Sequence, residues 1–281
     1  MTNKTENILA QIVQAFHGIS GIDAIVLGGS HATGTANKDS DIDIGIYYDA
    51  TSFDTSLFSQ KAVLLDDEHR KDLITNPGVW GPWINGGGWL RIDGVPVDIL
   101  FRDSGKVINV IDNCINGIIT IDYQCGHPFG FVNSIYMGEV AYCKILSSNN
   151  NIISKQKERV VRLPNSYRKA AIEKFLWECE FSQQCGRKAI GKGDVLYAAG
   201  SLFRSVVSLL HVLYAINGMY MINEKGSLNR LLRQKEAFIP KNFTVDSESA
   251  LTELSINTIQ DSFDRIQEQY DEIIRYCSQE L

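Results

Sequence analysis

One stretch, Val26–Tyr47, constrains the fold of this chain more than any other. It reads Val-Leu-Gly-Gly-Ser-His-Ala-Thr-Gly-Thr-Ala-Asn-Lys-Asp-Ser-Asp-Ile-Asp-Ile-Gly-Ile-Tyr. From Asp41 onward, acid or glycine alternates with isoleucine. Successive side chains of a strand point to opposite faces. Asp41 and Asp43 therefore project together, while Ile42, Ile44 and Ile46 enter a core. The apolar run Ile22–Leu27 just before reads as a buried strand entering a Gly-Gly-Ser turn. Paired glycines let a ligand approach the backbone, and a short helix starting at Ser30 offers N–H groups suited to phosphate. Two neighbouring carboxylates repel unless a cation sits between them. Hard oxygen donors favour Mg²⁺, which commonly takes substrate phosphates as further ligands. A phosphate turn and an acid pair about ten residues apart describe a nucleotide site.

A third carboxylate follows the same logic. Trp89–Ile92 and Val95–Phe101 read as two strands joined at Asp93-Gly94, a hairpin signal. Asp98 alternates with Val97 and Ile99, which turns it away from the core. A carboxylate inside an apolar strand is costly unless it meets a cation or a donor. Either a metal or pairing with Arg102 or Lys106 meets that requirement. His31, Lys38 and Arg102 could reach a phosphate or stay solvated, and Arg102 could equally pair with an acid such as Asp103.

The pattern of Gly28, Gly29 and Ser30, a spacer, then Asp41 and Asp43 resembles the signature of the DNA polymerase β-like nucleotidyltransferase superfamily. That family uses a third carboxylate on a neighbouring strand, and Asp98 fits the place. The resemblance covers roughly the first hundred residues. It implies that Gly28, Gly29 and Ser30 bind the NTP, and that Asp41, Asp43 and Asp98 hold two Mg²⁺ ions. One ion would orient the triphosphate and the other would activate an acceptor hydroxyl. The second half is similar in layout to lincosamide and aminoglycoside nucleotidyltransferases, which implies a small-molecule, antibiotic-like acceptor. Transfer of AMP to a protein, or a regulatory, antitoxin-like module without transfer, are the alternative readings.

With 281 residues the chain is long enough for two domains. A net charge of −6 argues against a grip on long nucleic acid, which usually takes a basic face. The six cysteines form no Cys-x-x-Cys pair, which argues against zinc. No apolar leader opens the sequence, so free thiols and a cytoplasmic location are expected, without membrane association. The most apolar segment, Leu196–Ile216, carries Arg204 and His211 and reads as a buried helix.

The expected fold class is α+β. A small mixed β-sheet nucleotidyltransferase domain with flanking helices spans 1–146. The polar run Ser147–Asn151 marks the boundary, and an all-α helical bundle that binds the acceptor spans 152–281, with the substrate cleft between the two. In the first part, helices are expected over residues 5–17, 55–67 and 104–118. In the second, a long helix capped by Asn165 or Ser166 and another capped by Asp194 lead the bundle. The segment Trp80–Trp89 is dense in glycine and tryptophan. Trp89 is expected to anchor the core as it leads into a strand. Trp80 and Trp83 either close the core or stack on a ring of base or acceptor. Glu178, between two apolar stripes of the long helix, is the candidate general base, with a rim residue paired to a cation as the plainer reading. Arg204 and His211 share a helix face with spacing like the Arg-His motif of helical ribonucleases. A structural Arg tying helices together is the preferred reading.

Overall fold

The computed structural model describes residues 3–280. The first half of the chain runs α1 (Asn3–Phe16), β1 (Ile22–Leu27), α2 (Gly29–Thr33), β2 (Ile42–Tyr48), α3 (Thr55–Leu65), β3 (Ile74–Thr75), β4 (Gly87–Ile92), β5 (Val95–Asp103), α4 (Ser104–Ile115), β6 (Ile121–Asp122) and β7 (Phe131–Val132). It continues with α5 (Ile135–Tyr142), β8 (Lys144–Ser148), α6 (Ile152–Val160), α7 (Asn165–Ile190), α8 (Val195–Ile216), α9 (Ser227–Leu232), α10 (Phe243–Thr252) and α11 (Ile259–Glu280). The class is α+β, with a mixed sheet followed by a helical part. Two units emerge. One comprises the chain up to Asp112 together with Tyr136–Arg162, and the other comprises Asn113–Ile135 and the chain from Leu163 onward.

The sheet unit is built on alternation. Its strands lie in the order β3-β4-β5-β2-β1-β8. β2 and β5 are parallel and the other pairs antiparallel. Ile42, Ile44 and Ile46 of β2 and Val97, Ile99 and Phe101 of β5 are buried on one face. Ile8, Ile12 and Phe16 of α1 and Phe58 and Ala62 of α3 cover that face. Phe16 and Phe58 stack with ring centroids 4.1 Å apart. Each of these isoleucine and phenylalanine side chains contributes roughly 1.5–3 kcal/mol by leaving water. The β4–β5 turn has Asp93 at φ 50° and Gly94 at φ 75°, the double positive φ of a tight hairpin. The Asp67 carboxylate accepts from both of their N–H groups at 2.8 Å.

The expected division near 146–152 does not coincide with these units. Ser147 and Ser148 belong to β8, which pairs with β1 at Leu27↔Lys144 and Val26↔Ile145. An edge strand keeps one side in solvent, so it needs no apolar run, and its serines and asparagines look like a linker in the sequence. Asn149 ties the edge down: its backbone N–H donates to the Asp23 carbonyl at 2.9 Å and its amide to the Ile22 carbonyl at 2.7 Å.

In the helical unit, α7 and α8 pack along their length with α10 and α11 against them. Gly186 permits close approach, since a Cβ there would lie 2.2 Å from Phe263 Cζ. The Asp194 carboxylate accepts from the Tyr197 N–H at 3.0 Å and caps α8 as expected. α7 instead starts after Pro164, with no side-chain cap. α8 is long and apolar enough to cross a membrane, and 72% of that window is buried within the protein, as befits a core helix.

Candidate active site

The sheet register lines the candidate residues up in one row. The Gly28 N–H, just past β1, donates to the Asp43 carbonyl at 2.8 Å. Asp43 pairs with Asp98 across the parallel β2–β5 ladder. Asp98 in turn pairs with Trp89 across β5–β4. Residues directly opposite in a ladder share a face, so Asp43, Asp98 and Trp89 stand together on the side away from the isoleucine core. Asp41 lies one residue before β2 and is exposed.

Asp43 is the electrostatic centre of this row. Burial pushes its carboxyl up to about 6, and the Asp98 and Asp41 charges push it the same way, while His31 opposes them. An acid held in the field of two others is short of positive charge. All three groups offer hard oxygen donors, the chemistry a divalent cation of the Mg²⁺ kind prefers. Among the described residues, no three His, Cys, Asp or Glu side chains are gathered into a set that could hold a metal ion.

The turn beside them is shaped by glycine. Gly29 has φ 54°, and a Cβ there would lie 1.7 Å from Asp43 Oδ2. Only glycine allows the carboxylate to press on this backbone. Gly28 is different: its Cβ would meet Asp43 at an ordinary 3.7 Å. The first N–H groups of α2 have no intrahelical partner. Ser30 does not cap the helix, because the N-cap is Gly28 and no side chain bonds there. Sequence reasoning left His31 open and missed Lys144. His31 is close enough to act on the Asp43 charge. The Lys144 ammonium, on β8, donates to the His31 carbonyl at 3.4 Å.

Farther along the same face the groups are closed off. Arg102 Nε and Nη2 donate to Glu139 Oε2 and Oε1, each at 2.7 Å. Burial opposes the Arg102 charge, and Glu139 outweighs it and holds the guanidinium firmly protonated. Arg102 is thus committed to an acid on α5. Trp83 is buried, with Tyr136 edge-on at 5.5 Å and the Tyr136 hydroxyl donating to its carbonyl at 2.6 Å. It closes the core. Trp89 departs from its expected role as a core anchor. It is 59% exposed and stacks on Trp80 with centroids 4.7 Å apart. The reason is register: the partner of Asp98 must face outward with it.

Residues 7–115 match the family described as a nucleotidyltransferase domain. This stretch of the chain is a nucleotidyltransferase domain. It is of the polymerase β-like kind, whose members generally use an NTP and a divalent metal. Among solved structures, a nucleotidyltransferase-like protein from Exiguobacterium sibiricum 255-15 aligns over 95% of this chain and 75% of its own, at 10% identity and a TM-score of 0.46. No curated protein sequence matches the chain.

Two of the candidates in the helical unit are tied to each other. Arg204 Nε donates to Glu178 Oε2 at 3.1 Å, joining α8 to α7. The same guanidinium lies 4.8 Å above the Phe129 ring. His211 is buried and stacks on Phe175 at 4.2 Å, and burial pushes it down to about 3, so the ring is neutral. The Arg204–Glu178 bond ties two helices together, in line with the structural reading of Arg204. Glu224 accepts from His127 and from the Phe129 N–H, both at 3.0 Å. Burial opposes its charge, yet these donors hold its carboxyl below the usual range.

Proposed function

We propose that this nucleotidyltransferase moves a nucleoside monophosphate from an NTP to a hydroxyl of a small-molecule acceptor and releases pyrophosphate. The observation that carries the reading is the Asp43 carboxylate, pressed on Gly29 and raised by burial and by Asp98 and Asp41. An acid in that state is matched to cationic charge, and a triphosphate with its metal supplies that charge where the backbone leaves room for phosphate.

In this reading the Gly29 and Ser30 backbone N–H groups and the Ser30 hydroxyl bind the β- and γ-phosphates, and Gly28, tied to Asp43 through its own N–H, sets the turn. Asp41, Asp43 and Asp98 would hold Mg²⁺, which takes one or two protein carboxylates and completes its shell with phosphate oxygens and water. When bound, it would neutralise the triphosphate and lower the pKa of the acceptor hydroxyl. The acceptor oxygen forms a bond to the α-phosphorus as the bond to the pyrophosphate oxygen breaks. The hydroxyl proton leaves to a carboxylate on the acceptor side. Asp98 stands there, at the far side of Asp43 from the glycine turn. Glu178 was the other candidate, but its Oε2 already accepts from Arg204 Nε. The chain's net charge of −6 suits a small acceptor better than a polyanion.

The test is incubation of the full chain with each NTP, Mg²⁺ and a panel of small-molecule and protein acceptors. Mass spectrometry reads the acceptors and a coupled assay reads pyrophosphate. A mass gain of one NMP on a small molecule, matched by pyrophosphate, is expected. A gain on protein alone, or nucleotide bound without any pyrophosphate, would overturn the reading. In a parallel melt, Mg²⁺ with a non-hydrolysable NTP should raise Tm well beyond either alone.

A further inference from the structure

The stack of exposed Trp89 on half-buried Trp80 is not used by the chemistry above. Trp89 is 59% exposed, and among the described residues of the sheet unit no other aromatic ring is left so open. A single exposed apolar side chain would need no explanation. This one stacks on a second indole at 4.7 Å and stands directly across from Asp98. Its backbone is held as well: the Trp89 carbonyl accepts from Arg70 Nη2 at 3.1 Å, and Arg70 is itself locked to the buried Asp66. Trp89 on the pinned strand and Trp80 on the preceding turn thus present two stacked rings inclined by 30°.

The order across the sheet decides what that surface is for. It runs from the Gly28–Gly29 turn to Asp43, then Asp98, then Trp89. Neighbouring strands lie about 4.8 Å apart, which puts the Trp89 backbone roughly 5 Å from that of Asp98 and about 10 Å from that of Asp43. The following step rests on the proposed transfer reaction. An in-line displacement requires the nucleophile to enter opposite the departing pyrophosphate. With the pyrophosphate at the glycine turn, the nucleophile enters from the β5–β4 side. We propose that the Trp80–Trp89 stack seats a ring of the acceptor, and that the acceptor is a ring-bearing alcohol whose hydroxyl reaches Asp98 while its ring face lies on Trp89. Holding the ring fixes the hydroxyl, and correct placement of a nucleophile is a large part of what such a site contributes to rate.

Benzyl alcohol and cyclohexylmethanol, with open-chain hexanol as control, are the probes. Their binding to the full chain is read by saturation-transfer NMR, in the presence of Mg²⁺ and a non-hydrolysable ATP analogue. The wild type should bind one or both ring alcohols about 3- to 10-fold more tightly than hexanol, the size of an aromatic contact. The aromatic arm leading indicates a planar acceptor ring, and the cyclohexyl arm leading a saturated one. Trp89→Ala should erase the preference and Trp89→Phe should keep it, while the dissociation constant of the ATP analogue stays unchanged in both. Trp89 is exposed, so neither variant threatens the fold. A preference that survives in Trp89→Ala, or no preference in the wild type, overturns the proposal. So does a Trp89→Ala variant that loses affinity for the ATP analogue while its ring preference persists, since the stack would then hold the nucleobase. Failure of the transfer reading itself shows separately, as a wild type that binds no nucleotide with Mg²⁺.

Discussion

The Asp43 row and the helical unit treat buried charge in opposite ways, while elsewhere in the sheet unit Arg102 pairs with Glu139 and Asp66 with Arg70. In the helical unit, buried and half-buried charges are met by partners. Glu178 takes Arg204, Glu224 takes His127, and His211 avoids charge altogether. In the sheet unit Asp43 is placed among acids, and its carboxyl is raised for that reason and by burial. Buried charge is normally paired because the uncompensated form is costly. Where a fold tolerates like charges side by side, the compensation comes from a ligand. Paired charge holds helices together, whereas repelling charge marks the place where something binds.

The largest effect that could break this contrast is at Asp43. Asp43→Asn should lower transfer by about 10³-fold or more, because it removes a charge that balances cation and triphosphate. In EDTA the same variant should melt higher than wild type at pH 8. The sign follows from the raised carboxyl: its folded form loses stability as pH rises from the usual carboxylate value through about 6. The advantage should therefore vanish at pH 4. A variant that melts lower than wild type at pH 8 would show that Asp43 is stabilised by a partner after all.

Next in size are the two glycines. Gly29→Ala forces a positive φ on alanine and drives Cβ into the Asp43 carboxylate, so transfer should fall by about 10²-fold with a lower Tm. Gly28→Ala meets only ordinary contacts and should stay within about threefold of wild type. Kinetics on both variants checks this, and equal losses would mean that the carboxylate does not sit on Gly29.

The helical unit should show the opposite pH sign. His211 is pushed down to about 3 by burial, so the unfolded chain binds its proton first as pH falls below about 6.5. Stability should drop by up to about 1.4 kcal/mol per pH unit in that window. His211→Phe, which keeps a ring between Phe175 and Phe129, should remove the slope in a series of melts. A variant with an unchanged slope would place the acid sensitivity elsewhere.

The smallest effect is expected at Glu178. Glu178→Gln weakens one half-exposed ion pair and should lower Tm by about 2 °C with transfer within a few-fold. A fall in rate of about 10²-fold or more, with NTP binding intact, would restore Glu178 as the base.

The sheet and its outward acids were legible because a strand has a period of two. Ile42, Ile44 and Ile46 could enter their core only if Asp43 turned to the opposite face, and Val97 and Ile99 made the same demand of Asp98. The Asp93-Gly94 hairpin was legible from turn chemistry. Other features depend on partners far away in the sequence. Nothing near Glu178 announces Arg204, 26 residues on. Nothing near Arg102 announces Glu139, 37 residues on. Trp89 was misjudged because aromatic content was weighed ahead of its register with Asp98. β8 was missed because an edge strand of serines has the composition of a linker.

The return of the chain to the sheet after Ile135 also shapes how the protein is made. β1 is among the first strands synthesised, yet its outer neighbour β8 follows only after well over a hundred further residues. Until then β1 has a bare edge of unpaired N–H and C=O groups, the kind that recruits foreign strands. The nascent sheet must therefore wait through the synthesis of Asn113–Ile135, which goes to the other unit. Pairing at such sequence separation is slow in folding terms. Translation speed through this stretch, and chaperone cover for the bare edge, should govern the yield of folded protein more than the stability of either finished unit.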